Sequence, residues 1–375
     1  MIKDGKFERI RFESKQLSVS FQPRQTPPHT YGGAFLLSGT WLSGRHAKSA
    51  RMKAKLLGRT GLSVSELCFG TMSFGGDADE AMSAAMYEAC RDAGINFFDC
   101  ADAYANGRSE EILGRLVKGH RDQLVLTTKC FNAIGPDANA RGLSRRHIAR
   151  AVEASLKRLQ TDRIDVLFLH QWDELTPIEE SMRALEDLVR SGKVVYPAIS
   201  NWAAWQIQRA VDIEERHGWA RLQVLQPMYN LVKRQAEVEI LPMARANGFG
   251  VIPYSPGAAG LLSGKYFGQA SGRLRTNKMY ETRYGEPWMI EVAERYVAFC
   301  KQRGLHPVGT AVAWVATHPA VTAPIVGARN LEQLRDSLAA VEVKMTPELR
   351  AEIANLSRTP PPATDRSEEQ KATNG

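Results

Sequence analysis

The chain has 375 residues, 43% of them hydrophobic and 24% charged, which is ordinary globular composition. No apolar run nears the roughly 20 residues of a membrane span, and five scattered cysteines without Cys-x-x-Cys spacing make neither a disulfide framework nor a zinc site. Of the net charge of +8, +6 lies in residues 1–51 and only +2 in the rest, so the basic balance is not by itself a nucleic-acid footprint.

In chain order, residues 1–51 lack sustained periodicity and are rich in Ser, Gly, Pro and basic residues. They are expected to form a disordered extension, or to precede a true start at Met52. Their longest apolar stretch, 34–42, is short and lies too far in for a signal peptide. The pattern over 55–65 predicts a tight hairpin around Gly58 and Gly61. Strand and helix patterns then alternate eight times. Strands are expected at 67–70, 95–99, 124–129, 166–170, 194–200, 224–226, 250–254 and 322–326. Helices are expected at 78–93, 109–117, 145–159, 178–191, 203–217, 237–247, 307–317 and 331–338. Ser144 suits an N-cap, and Gly94 and Gly192 suit helix C-termini. A further helix is expected at 287–303, after a long loop. Eight alternating pairs predict an α/β protein, a (β/α)8 TIM barrel over 52–358 with the hairpin capping its floor. A charged, proline-led tail over 359–375 is expected to be disordered. The reduced cysteines point to a cytoplasmic home, with neither membrane nor nucleic acid as partner.

Three of the expected strands lead into polar groups able to do chemistry: Asp99, with Asp102 and Tyr104 just beyond; Lys129; and His170. In a parallel barrel all strand carboxyl ends open on one mouth, where such barrels work. A tyrosine is a weak acid, with a pKa near 10, and a neighbouring Lys129 ammonium is expected to lower it. Asp99 would hold that ammonium, with Asp102 competing for the role, and His170 would orient a carbonyl. Each residue alone reads as readily as a packed or capping side chain; the constellation argues for a site. Ser200, Asn201 and Gln226 end two later strands and suit a carboxamide, although Ser200 or Asn201 also suits a helix cap. Tyr254 offers a flat ring. Gly327 and Arg329 enter a helix whose amino end suits phosphate, with Gln333 one turn on. No Gly-x-Gly-x-x-Gly stands between strand and helix. Asp77, Asp79, Asp162 and Asp165 lack the His or Cys company of a metal site.

These segments resemble the aldo-keto reductase superfamily. The resemblance rests on Phe97-Phe98-Asp99-Cys100-Ala101-Asp102-Ala103-Tyr104, Gly107-Arg108-Ser109-Glu110, Thr128-Lys129, Leu169-His170, Ser200-Asn201, Gln226-Pro227-Met228-Tyr229-Asn230, Pro253-Tyr254-Ser255-Pro256, Gly260-Leu261-Leu262-Ser263-Gly264-Lys265-Tyr266 and Gly327-Ala328-Arg329-Asn330. It covers about 55–356, and the Gly-Leu-Leu-Ser-Gly-Lys-Tyr segment is similar to the shorter-looped bacterial branch that includes potassium-channel β subunits. It implies reduction of a small-molecule aldehyde or ketone with NADPH, NADH being the less expected cofactor. It assigns Tyr104 as acid, Lys129 and Asp99 as its partners and His170 as orienter. Cofactor contacts are implied for Gly70, Thr71, Met72, Asp99, Ser200, Asn201, Gln226, Tyr254, Ser255, Pro256, Gly257, Gly260, Lys265, Gly327, Arg329, Gln333, Asp336 and Ser337, with no metal. The alternative is a nucleotide-binding regulatory subunit of the channel-β type, which turns over slowly; that branch carries Asn where this chain has His170. Substrate identity, set by loops at 72–77, 172–176 and 269–284, and homo-oligomerisation stay open. Three departures stand out. Pro197 lies inside a central strand, predicting a bulge that displaces Ser200. Gly257 stands where Leu is usual, and Ser337 where Asn is usual.

Overall fold

A computed structural model describes residues 52–267, 277–366 and 368. The extension expected over 1–51, residues 269–276 of the third specificity loop and the last residues of the tail lie outside them.

A hairpin comes first. β1 (Ala54–Leu56) pairs antiparallel with β2 (Ser63–Ser65). Gly58 and Gly61 take positive φ in the connection, where a Cβ would be strained. The Thr60 hydroxyl pins the turn by donating to the Leu57 carbonyl at 2.7 Å.

Eight parallel strands follow: β3 (Cys68–Gly70), β4 (Phe97–Asp99), β5 (Val125–Cys130), β6 (Ile164–Leu169), β7 (Val194–Ser200), β8 (Val224–Gln226), β9 (Gly250–Val251) and β10 (Ile325–Val326). They pair in chain order, and β10 pairs back onto β3. The last seam closes where the Ile325 N–H donates to the Pro253 carbonyl at 2.9 Å and Tyr254 bridges Ile325. The fold is the expected (β/α)8 barrel.

Helices α1 (Glu80–Asp92), α2 (Arg108–Leu116), α3 (Arg145–Leu159), α4 (Ile178–Arg190), α5 (Ala204–His217) and α6 (Ile240–Asn247) each follow a strand. The long connection after β9 holds α7 (Lys278–Tyr284), α8 (Pro287–Gln302) and α9 (Pro307–Ala316); α10 (Leu331–Leu338) and α11 (Pro347–Ala354) follow β10. The sequence reading passed over α7 and α11. α7 lies in the polar stretch after β9, and α11 falls after the eighth expected strand–helix pair. Caps explain several boundaries: Ser144 accepts from the His147 N–H, Asp79 from Met82 and Asn330 from Gln333.

Side chains pointing into the barrel form one cluster, including Phe97, Val125, Val166 and Val224. Leu57 and Val64 from the hairpin join it with no exposure at all. The hairpin therefore stoppers the floor, as expected, and burying Leu57 contributes on the order of 2 kcal/mol. Two further clusters fill the space between strands and helices.

The expected bulge at Pro197 is absent. Pairing of β7 with β6 runs unbroken from Val166↔Tyr196 through Leu167↔Pro197 to Leu169↔Ile199, and Ser200 pairs in register with Gln226. The reason is local. The Pro197 carbonyl accepts from the Gln223 N–H, so its nitrogen faces the same side, ahead of the first β7–β8 pair, Ala198↔Val224. No ladder donor is lost there.

Among the described residues no helix is long and apolar enough to cross a membrane, and no group of three or more His, Cys, Asp or Glu could hold a metal ion. Asp165 instead accepts from the Leu126 N–H and pairs with Arg121. All five cysteines are free and buried.

Candidate active site

Strand periodicity builds the mouth. Thr127 and Lys129 are two apart on β5, so both point to one side, and both meet Asp99 at the end of β4. Lys129 Nζ lies 2.6 Å from Asp99 Oδ2, 2.7 Å from the Cys100 carbonyl and 3.2 Å from the Tyr104 hydroxyl. The lysine has no exposure. Asp99 Oδ1 accepts from the Thr127 hydroxyl at 2.7 Å and from Gln226 Nε2 at 2.9 Å. A buried ion pair needs such extra hydrogen bonds to offset desolvation.

Tyr104 opens the turn after β4 that enters α2. The residue is half-buried. Burial pushes that phenol up to about 12, with the Lys129 ammonium opposing and Asp99 reinforcing. The ammonium acts in the expected, lowering direction, but desolvation outweighs it, and the hydroxyl keeps its proton. Burial works against the Lys129 charge, but Asp99 and Tyr104 together hold it above the ordinary lysine value.

His170 follows β6, its ring edge-on to Tyr104 with centroids 6.3 Å apart. Its Nδ1 lies 3.3 Å from Asn132 Nδ2. Burial, helped by Lys129, drops its pKa to about 3, so the imidazole is neutral. Asp102, the rival to Asp99, makes no bond to Lys129. It is fully buried, neither oxygen completes a hydrogen bond, and burial next to Glu110 raises its pKa to about 7 despite Arg158 and a nearby Ala103 N–H.

Ser200 and Asn201 do not cap α5, which corrects that alternative. Ala203 stands at the cap, and Gln206 Oε1 accepts its N–H. Ser200 Oγ donates to the Gln226 carbonyl, Asn201 Nδ2 to the His170 carbonyl at 2.9 Å, and the Tyr254 hydroxyl to Asn201 Oδ1 at 2.7 Å. Tyr254, Asn201, His170 and Tyr104 thereby form one continuous wall. Thr71, directly after β3, bonds the Asp99 carbonyl through both its N–H and its hydroxyl. Gly70 ends β3 paired with Asp99, and Met72 beside it is 42% exposed.

A second group lies over the seam between β9 and β10. Ser255 takes positive φ, Pro256 and Gly257 follow, and a Cβ on Gly257 would meet nothing within 4 Å. Lys265 folds back so that its ammonium lies against Gly260 and over the Tyr266 ring. Gly327, exposed, leads into Arg329, whose N–H donates to Gln333 Oε1 at 3.2 Å. Ser337 donates to the Gln333 carbonyl, and Asp336 faces His306 at 3.5 Å. Eight non-glycine residues among those described have positive φ, and six of them (Ala105, Asn106, Asn201, Ser255, Ala258 and Ala259) belong to these mouth loops. Such conformations cost energy and cluster at functional sites.

Sequence reasoning missed Thr127 and Asn132 as supports of Asp99 and His170. The i, i+2 relation of Thr127 to Lys129 was a usable signal; Asn132 had none beyond its place after a strand.

A family description, the aldo/keto reductase family, matches residues 66–358. An uncharacterised oxidoreductase, YrpG, of Bacillus subtilis (strain 168) is 41% identical over 310 residues, covering 80% of this chain and 94% of that protein. A probable voltage-gated potassium channel subunit beta of Oryza sativa subsp. japonica is 36% identical, covering 84% and 99%. Versiconal hemiacetal acetate reductase of Aspergillus parasiticus is 35% identical, covering 79% and 94%. The matched region spans the whole barrel with its cluster of Asp99, Lys129 and Tyr104, and the chain belongs to the aldo/keto reductase family, NAD(P)H-dependent oxidoreductases acting on small-molecule carbonyl compounds.

Proposed function

We propose that this chain reduces an aldehyde or ketone to the alcohol with NADPH, Tyr104 acting as the general acid. The observation that carries the reading is the single buried ammonium of Lys129, held by Asp99 and donating to the Tyr104 hydroxyl. The phenol is protonated in the resting state, the form a reduction needs. As its proton leaves, the phenolate forms 3.2 Å from a fixed positive charge, so stabilisation grows with the charge that develops. The neutral His170 can donate one N–H to the same carbonyl oxygen and fix its angle. Protonation by a placed side chain typically supplies ~10²–10⁴-fold.

The residues fit a nicotinamide dinucleotide. Gln226 spends its amide NH₂ on Asp99 and keeps its side-chain carbonyl for a carboxamide N–H; Tyr254 offers a ring face beside it; Lys265 and Arg329 bring positive charge for phosphates. When bound, the reduced cofactor supplies the hydride to the carbonyl carbon. The preference for NADPH rests on Arg329, whose guanidinium suits a ribose phosphate. Tyr104→Phe should cut turnover of 4-nitrobenzaldehyde by at least ~10²-fold while NADPH still quenches tryptophan fluorescence; parental turnover in that variant would refute the assignment. Arg329→Ala should raise KM for NADPH about tenfold and leave KM for NADH unchanged.

The likeness to potassium channel subunits beta favours a second reading, a nucleotide-binding regulatory subunit. Fast steady turnover by the purified chain would exclude it; NADPH binding with slow or no turnover of a broad carbonyl set would favour it.

A further inference from the structure

A cavity of about 340 Å³ opens at the opposite end of the barrel from the mouth. It lies between the hairpin turn, the end of α6 and the connection from α9 to β10. Its lining contains three cations, Lys55, Arg59 and Arg245, and no carboxylate; much of the remainder is apolar, including Leu56 and Phe249. Leu56 is 65% exposed.

The simplest account of cations here is that α6 and α9 both end at this floor, where carbonyl dipoles attract positive charge. Several of those carbonyls already have partners. The Ala244 and Arg245 carbonyls accept from the Phe249 and Gly248 N–H groups, so the account does not cover Arg59 and Arg245; Lys55 Nζ does donate to the Ala316 carbonyl at 3.1 Å, which uses one of its three N–H donors. Arg59 and Arg245 make no ion pair among the described residues. Nor does Arg59 swing free. Gly248 has positive φ, and a Cβ there would collide with the Arg59 side chain, so the missing side chain lets the guanidinium stem lie across the turn. Burial holds Lys55 below the ordinary lysine value, with Glu66 opposing; a nearby anion would relieve that penalty.

We propose that this floor cavity is a binding site for a small phosphomonoester with an apolar body, its phosphate met by Arg59, Arg245 and Lys55 and its body by Leu56 and Phe249. Three cations suit a phosphate dianion better than a carboxylate monoanion, and guanidinium forks match phosphate geometry. The volume falls within the range of small-ligand pockets, about 300–1,000 Å³. The site is separate from the mouth, so the proposal stands or falls independently of the reductase reading.

The test is calorimetric titration of the full chain, with NADP⁺ in excess to occupy the mouth. Phenyl phosphate should bind saturably at one site. Phenol, benzoate and inorganic phosphate should each bind at least about tenfold more weakly. Phenyl phosphate should also weaken severalfold between 50 and 300 mM NaCl. The pair Arg59→Ser with Arg245→Ser should lower its affinity at least about tenfold, and the pair Arg59→Lys with Arg245→Lys should restore most of it. Unchanged NADPH quenching and melting temperature in both pairs would establish intact folds. Absence of saturable binding, or equal binding by the serine pair, would overturn the site. Equal binding of phenol or benzoate would overturn its phosphate preference, and equal binding of inorganic phosphate its apolar half.

Discussion

At the scale of single residues, burial decides what charge each group near the mouth carries. Lys129 is the clearest case. With no exposure and three acceptors around it, its removal strands the Asp99 carboxylate in protein. Lys129→Met should therefore destabilise by roughly 3–5 kcal/mol in denaturant unfolding, and adding Asp99→Asn should recover much of that loss. Asp102 behaves oppositely. Its folded pKa of about 7 lies above its unfolded value near 3.8, so the folded chain holds the proton more tightly. Stability from this group is present at low pH and lost as pH rises from about 4 to about 7. Asp102→Asn, which cannot ionise, should raise stability in denaturant unfolding at pH 8 by up to about 4 kcal/mol and change little at pH 3; a loss at pH 8 would contradict this. His170, at about 3, has its pKa below the unfolded 6.5. Stability from this group is full above pH 6.5 and declines as pH falls toward 3. Sequence made all three visible as candidates. It did not separate Asp99 from Asp102, because three residues of spacing cannot tell which carboxylate shares a strand face with Lys129. Nor did it reveal that desolvation beats the ammonium at Tyr104, which depends on how much protein surrounds one oxygen atom.

At the scale of elements, legibility followed the local signals. The helices at 145–159 and 331–338 emerged with their expected bounds because Ser144 and Asn330 cap them. The strands expected at 250–254 and 322–326 shrank to Gly250–Val251 and Ile325–Val326. Prolines explain it. Pro253 and Pro324 have no N–H to give, yet each accepts through its carbonyl, from Ile325 and Cys68, so the seam closes with few ladder bonds. Pro197 sits where no donor is needed. Pro197→Ala should accordingly leave stability within about 1 kcal/mol and KM for NADPH unchanged. A large loss of either would mean that the proline shapes the position of Ser200 after all.

At the scale of the molecule, the two barrel ends are built by different means. The mouth is assembled from loops in strained backbone conformations, the floor from a two-stranded plug whose side chains complete the interior. Leu57→Ala should cost about 2–5 kcal/mol in chemical denaturation, yet leave kcat for an aldehyde within about twofold at 25 °C. A matching fall in kcat would mean that packing at the floor governs geometry at the mouth. Eightfold alternation made the architecture readable in the sequence; the basic hollow beneath it was not, because its three cations come from segments about 190 residues apart.

Leu57 and Val64 have one more consequence. With the lower aperture stoppered, exchange of the buried Lys129 ammonium protons with solvent proceeds by way of the mouth. Whatever lodges at the mouth becomes its lid, so the exchange of those protons reports occupancy there without any need for catalysis.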